Sequence, residues 1–237
     1  MQPAFCVRSV IVNERLTALR QCIADAAQRS GRRAGDIRLV AVSKKQPLDA
    51  IRQLADQGQV DFGESTVQEA RKKVAACPQL VWHGIGHLQS NKARQAVGLF
   101  DWLHAIDSEK LLYRVSQAAE QAEKHINILL QVNIARDPDK FGFAEDGLFP
   151  VVESLLDKQL ARTRLRGLMT IGQRNVSDSQ TRRTFAGLRR LAEQARLRFG
   201  DVCFTELSMG MSQDFEIAIE EGATMVRVGT ALFGERS

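Results

Sequence analysis

Eight short apolar runs, each followed by a segment of helical periodicity, recur along the 237 residues. That alternation restricts the fold more than any other feature. A parallel strand pair needs a long crossover between its members, usually a helix, so strand–helix repetition builds parallel sheets. The runs fall at 39–42, 60–64, 80–86, 102–106, 126–132, 165–171, 202–207 and 225–228. A further helix precedes the first run over about 10–29, with Leu16, Leu19, Ile23 and Ala26 or Ala27 at helical spacing. Other helices are expected after Pro47, at 66–76, up to Lys124, at 147–160 and at 178–199. Eight strands in a chain of this length predict an α/β fold, a single (β/α)8 barrel with an additional N-terminal helix. The alternative is a doubly wound open sheet, which usually has a glycine-rich phosphate loop after its first strand. Here Ser43-Lys44-Lys45 follows that strand instead. No linker, repeat or low-complexity tract interrupts the chain, so one domain spanning 1–237 is expected.

Hydrophobic residues make up 44% of the chain, enough for a sizeable core, and the net charge of +5 is too mild to indicate nucleic acid. Cys6, Cys22, Cys77 and Cys203 lack paired spacing, which argues against a disulfide framework or zinc site and fits a reducing cytoplasm. No signal peptide and no membrane-length apolar run is evident. The 178–199 segment carries Arg182, Arg183, Arg189, Arg190, Arg196 and Arg198 opposite Phe185, Leu188, Leu191, Ala195 and Phe199. That pattern reads as an ordinary barrel helix with a solvated basic face. Without base-stacking aromatics it does not suggest a nucleic-acid partner.

In a barrel, function collects at the C-terminal strand ends. The first strand runs through Val40 and Val42 to Lys44, and side chains alternate along a strand. Lys44 therefore shares a side with Val40 and Val42 and can face the barrel mouth, as can Arg227 on the last strand. A lysine so placed supplies an amine able to attack a carbonyl, although a solvated lysine at a strand end is the commoner case. Ser208-Met209-Gly210-Met211-Ser212 and Val228-Gly229-Thr230-Ala231 follow the last two strands. Small residues in such turns let backbone N–H groups approach an anion, and barrels commonly bind phosphate there. An amine beside a phosphate cradle suits a phosphorylated carbonyl compound: pyridoxal 5′-phosphate (PLP) or a phosphosugar.

Other residues carry less. His83 and His87 flank a glycine loop, lack a third ligand and are expected to form hydrogen bonds, not to bind metal. Glu64 and Glu69 are expected to cap and solvate the third helix. Tyr113, the one tyrosine, falls within a helix and reads as packing.

Six motifs together closely resemble the pyridoxal phosphate homeostasis protein family. They are Leu39-Val40-Ala41-Val42-Ser43-Lys44, Asp61-Phe62-Gly63-Glu64 with Val67-Gln68-Glu69, and Trp82-His83-Gly84-Ile85-Gly86 with Leu88-Gln89-Ser90-Asn91-Lys92. The others are Leu165-Arg166-Gly167-Leu168-Met169, the Ser208–Ser212 loop and Val226-Arg227-Val228-Gly229-Thr230. The resemblance covers nearly the whole chain. It implies a barrel like the N-terminal domain of alanine racemase, with PLP held as an aldimine on Lys44. It implies Arg227 near the pyridine nitrogen, and Ser208, Gly229 and Thr230 around the phosphate, with the Met209 N–H beside them. It further implies a cytoplasmic, monomeric carrier that supplies PLP-dependent apo-enzymes and maintains vitamin B6 without robust turnover. A weak amino-acid racemase or a Schiff-base aldolase is the competing reading. Ser65-Thr66, His87 and Phe141 stand where the family usually has Asn-Tyr, proline and serine.

Overall fold

The computed structural model describes residues 4–157, 161–200 and 203–234. Helix α1 (Ala4–Arg29) leads into a barrel of β1 (Arg38–Val42), α2 (Leu48–Asp56), β2 (Asp61–Glu64), α3 (Val67–Ala76) and β3 (Val81–Gly84). It continues with α4 (Ala93–Leu99), β4 (Trp102–Ile106), α5 (Glu109–Gln121), β5 (Ile126–Gln131) and α6 (Leu148–Asp157). It ends with β6 (Thr163–Met169), α7 (Asp178–Phe199), β7 (Glu206–Ser208), α8 (Phe215–Glu220), β8 (Met225–Val228) and α9 (Thr230–Phe233). All neighbouring strands run parallel, and β8 pairs with β1 to close the ring. Val40 lies opposite Arg227, and Ala41 opposite both Val228 and Phe62.

Closure buries the strands on both faces, which is why they read as continuous apolar runs. Outward side chains, among them Leu39, Ala41, Phe62, Ile128, Leu130, Val226 and Val228, pack against the helices. Inward ones form a smaller interior cluster of Trp102, Ala105, Leu129, Met169 and Met225. Helix α1 packs on α2, α8 and α9 and so covers the seam between the last and first units.

Several boundaries shift from the expected ones. Helix α1 begins well upstream, at Ala4, and β6 starts at Thr163 and stops at Met169. Strand β7 has only three residues and pairs with β8 through Ser208 and Met225 alone. The expected starting point of that strand, Val202, and the expected end of the sixth helix, Leu160, lie outside the described residues. Strands β6 and β7 approach unusually closely because position 167 is glycine: a Cβ there would meet Glu206 O at 1.8 Å. The face of α7 is not merely solvated, since Arg182 pairs with Glu220 and Glu221 and Arg198 with Glu153. No described helix is long and apolar enough to cross a membrane.

Candidate functional site

Lys44 stands in the turn after β1, half-buried, with both flanking residues clamped from the helix layer. The Lys73 ammonium on α3 donates to Ser43 O at 2.6 Å and to Glu64 Oε1 and Glu69 Oε1 at 2.7 Å each. Ser43 Oγ–H also donates to Glu64 Oε1, at 2.6 Å. On the other side of Lys44, the Lys45 N–H donates to Glu69 Oε1. Lys45 itself adopts φ 62°, a left-handed conformation rarely taken by a residue with a side chain. The expected solvated role of Glu64 and Glu69 is thus wrong: Glu64 is fully buried, and both hold the lysine turn. The α3 cap comes instead from Thr66, whose hydroxyl accepts from Glu69 N. Burial pushes the Glu64 carboxyl up, against the pull of Lys73 and Ser43. For Glu69 burial acts in the same sense, but Lys73 and the Lys45 amide outweigh it and hold the carboxyl low.

Arg227 points into the barrel and is only 4% exposed. Its guanidinium donates from Nη1 to Ser208 Oγ at 2.5 Å and from Nη2 to Thr170 O at 3.0 Å. Among the described residues no carboxylate lies within ion-pairing distance of it. Burial lowers its pKa to about 10, with the more distant Asp214 opposing. The register of β1 and β8 puts Arg227 level with Val40, and Lys44 stands two residues past the end of β1, toward the mouth.

Ser208 is also interior, but its hydroxyl faces Arg227 and His104 Nδ1, the latter at 2.8 Å, not the turn after β8. The turn after β8 is gathered by Ser212, which the sequence placed in the loop after the seventh strand without a role of its own. Its Oγ accepts from Gly229 N at 3.3 Å and Ala231 N at 3.2 Å, so two amides of the last turn converge on one oxygen. That turn packs on β1, since a Cβ at Gly229 would sit 3.3 Å from Val42 O. Thr230 follows as the exposed first residue of α9. Met209 needs correction: its N–H donates to Met225 O at 3.1 Å and its side chain packs in the outer core, so its amide is committed to the barrel wall.

The histidines do form hydrogen bonds, and they diverge. His83 faces the interior, bonded to Asp61 and His104. His87 lies on the rim, where Nδ1 meets Asp107 Oδ2 at 2.8 Å and the ring stacks on Phe141 at 3.8 Å between centroids. Two of the unusual positions, His87 and Phe141, thereby contact each other. Among the described residues no cluster suited to a metal ion occurs.

Residues 15–237 match the family described as alanine racemase, N-terminal domain. The pyridoxal phosphate homeostasis protein of Pseudomonas aeruginosa is 40% identical over 227 residues, covering 95% of this chain and 96% of its own. The protein of that name from Escherichia coli K12 is 39% identical, covering 93% and 95%. PipY of Synechococcus elongatus, solved with PLP bound, superposes with a TM-score of 0.83 at 39% identity, covering 94% of this chain and all of its own. Alanine racemase of Clostridium difficile, at 14% identity and a TM-score of 0.73, shares the fold; the match takes in 95% of this chain and 56% of the racemase. Likeness of this extent, in sequence and in fold, means that the chain belongs to the pyridoxal phosphate homeostasis protein family.

Proposed function

We propose that this chain, as one barrel domain over 1–237, binds PLP at its mouth and acts as a cytoplasmic carrier in vitamin B6 homeostasis. The observation that carries the reading is Arg227. A buried guanidinium without a carboxylate partner among the described residues is costly unless a ligand supplies an acceptor. A pyridine nitrogen is such an acceptor, and the half-buried Lys44 and the amides at Ser212 lie toward the same end of the barrel. When bound, PLP supplies an aldehyde that captures amines and a ring that withdraws electrons. Lys44 would hold the group through its amine, to which the cofactor would supply the aldehyde. Ser212 Oγ, which already gathers the Gly229 and Ala231 N–H groups, and the neighbouring Thr230 would hold the phosphate, with Gly229 allowing the close backbone approach. Ser208 acts through Arg227, and Met209 contributes packing.

Arginine donates hydrogen bonds but cannot accept a proton, so it leaves the ring nitrogen unprotonated and the electron sink weak. Racemisation by two bases also needs an acid opposite the lysine. Tyr113, the one tyrosine, sits exposed on α5, bonded to Gln117. These features favour storage and delivery to PLP-dependent apo-enzymes over turnover. Visible absorbance on adding PLP, lost in Lys44→Ala, tests the reading. Borohydride reduction and peptide mapping must label Lys44; a label elsewhere removes the mechanism, and steady racemisation of free alanine would make the chain an enzyme.

A further inference from the structure

Four consecutive hydrogen bonds cross the barrel interior. Arg227 Nη1 meets Ser208 Oγ at 2.5 Å, and Ser208 Oγ meets His104 Nδ1 at 2.8 Å. His104 Nε2 meets His83 Nδ1 at 2.9 Å, and His83 Nε2 meets Asp61 Oδ1 at 2.8 Å. Both imidazoles are fully buried. The series starts at the C-terminal end of the barrel, on β7 and β8, and ends at the first residue of β2. There Arg38 pairs with Asp61 at 3.5 Å and lies over Trp102, which stacks on His83.

The direction of every bond follows from the two ends. Guanidinium only donates, so Ser208 Oγ accepts from Arg227. Carboxylate only accepts, so His83 donates from Nε2, and a neutral His83 then accepts at Nδ1. His104 must donate from Nε2 to reach it, which leaves its own Nδ1 as an acceptor. The Ser208 hydroxyl proton therefore goes to His104. Donating that proton makes Oγ a better acceptor for Arg227, because successive bonds polarise one another. Burial holds both histidines below their ordinary range, His104 well below, so the neutral forms persist near neutrality.

We propose that Asp61, His83, His104 and Ser208 are positioning residues, a one-way chain of hydrogen bonds that ends on the Asp61 carboxylate and holds the Arg227 guanidinium in place for the ring nitrogen of the bound cofactor. Its role toward that ring rests on the function proposed above; its effect on Arg227 does not. It also explains why Ser208 has no hydroxyl proton to offer a phosphate, leaving that contact to Ser212.

Two measurements on the ligand-free protein test the chain. Nitrogen-15 NMR should find both histidines neutral near pH 7 and protonated on Nε2. A proton on Nδ1 of either, or an imidazolium, overturns it. Hydrogen exchange of the Arg227 guanidinium should quicken by up to about tenfold in His104→Leu, where Ser208 loses the acceptor that fixes its hydroxyl, the scale of one lost hydrogen bond. It should return toward native in His104→Gln, whose amide has both an acceptor and a donor. Ser208→Ala serves the same purpose where leucine prevents folding. Unchanged exchange in folded His104→Leu overturns the proposal whether or not PLP binds. With PLP, the leucine variant should bind about tenfold more weakly, with a shifted absorption maximum, and glutamine should restore both; native affinity and spectrum in His104→Leu would also overturn it. A native protein that refuses PLP while Arg227 exchanges slowly and the tautomers hold would count against the carrier reading and in favour of the chain's effect on Arg227.

Discussion

At Lys73 one ammonium, 7% exposed, serves three acceptors and joins β1, β2 and α3. Replacing it with methionine removes the charge opposite a fully buried Glu64, whose other oxygen, Oε2, already lacks a partner. Breaking one side of a buried pair costs roughly 3–5 kcal/mol. Lys73→Met should therefore lower the urea midpoint strongly, while Lys73→Met with Glu64→Gln should recover part of the loss. Both flanks of Lys44 depend on this group, so borohydride trapping of PLP at Lys44 should slow in the single variant. Ser212 makes a separate prediction. Ser212→Ala removes the oxygen on which Gly229 N and Ala231 N converge and should weaken PLP binding about tenfold, the scale of one lost hydrogen bond to a charged group. Native affinity by absorbance titration would show that the phosphate lies elsewhere.

Among the elements, β6 and β7 depend on one missing side chain. Gly167→Ala would put a methyl 1.8 Å from Glu206 O, a backbone atom that cannot rotate away. The strands must separate, and a loss of about 3 kcal/mol or more is expected from thermal or urea unfolding. Gly98→Ala is the control, because nothing lies within 4 Å of its added Cβ and alanine suits the interior of α4. The same elements show what the sequence could disclose. Strands β1, β4 and β8 were legible because a strand buried on both faces is a run of apolar residues, and strand parity correctly put Arg227 inside. Strand β7 was less legible because its pairing depends on the close approach at Gly167 more than on its own composition. Glu64 was misread because a glutamate at a strand end resembles a solvated one, and its burial becomes apparent only when Lys73 folds over it from α3. Ser212 lies beyond the strand, so parity could not reach it; only the folded loop brings it to Gly229. His87 and Phe141 stand far apart in sequence, and their stacking required the β3 and β5 loops to meet.

For the molecule as a whole, the interior histidines couple cofactor geometry to acid stability. Burial holds His83 and His104 below the ordinary value of 6.5, so the unfolded chain binds protons that the folded barrel refuses. Their contribution is present above about pH 6.5 and is lost as pH falls toward their folded values. Each adds a slope of up to about 1.4 kcal/mol per pH unit. Glu64 acts in the opposite sense: its folded value is raised, so between the ordinary 4.5 and that value acidification favours the folded state. Being above the carboxylate range, the histidine window is met first on acidification. Urea midpoints should therefore begin to fall between about pH 7 and pH 5, before most carboxylates titrate. His104→Gln removes one of the two groups and should flatten that slope while keeping the acceptor and donor that Ser208 and His83 require. A slope as steep in His104→Gln as in the native chain would mean that the loss originates outside the barrel interior, and that the polar row between Arg227 and Asp61 does not set the acid limit of the fold.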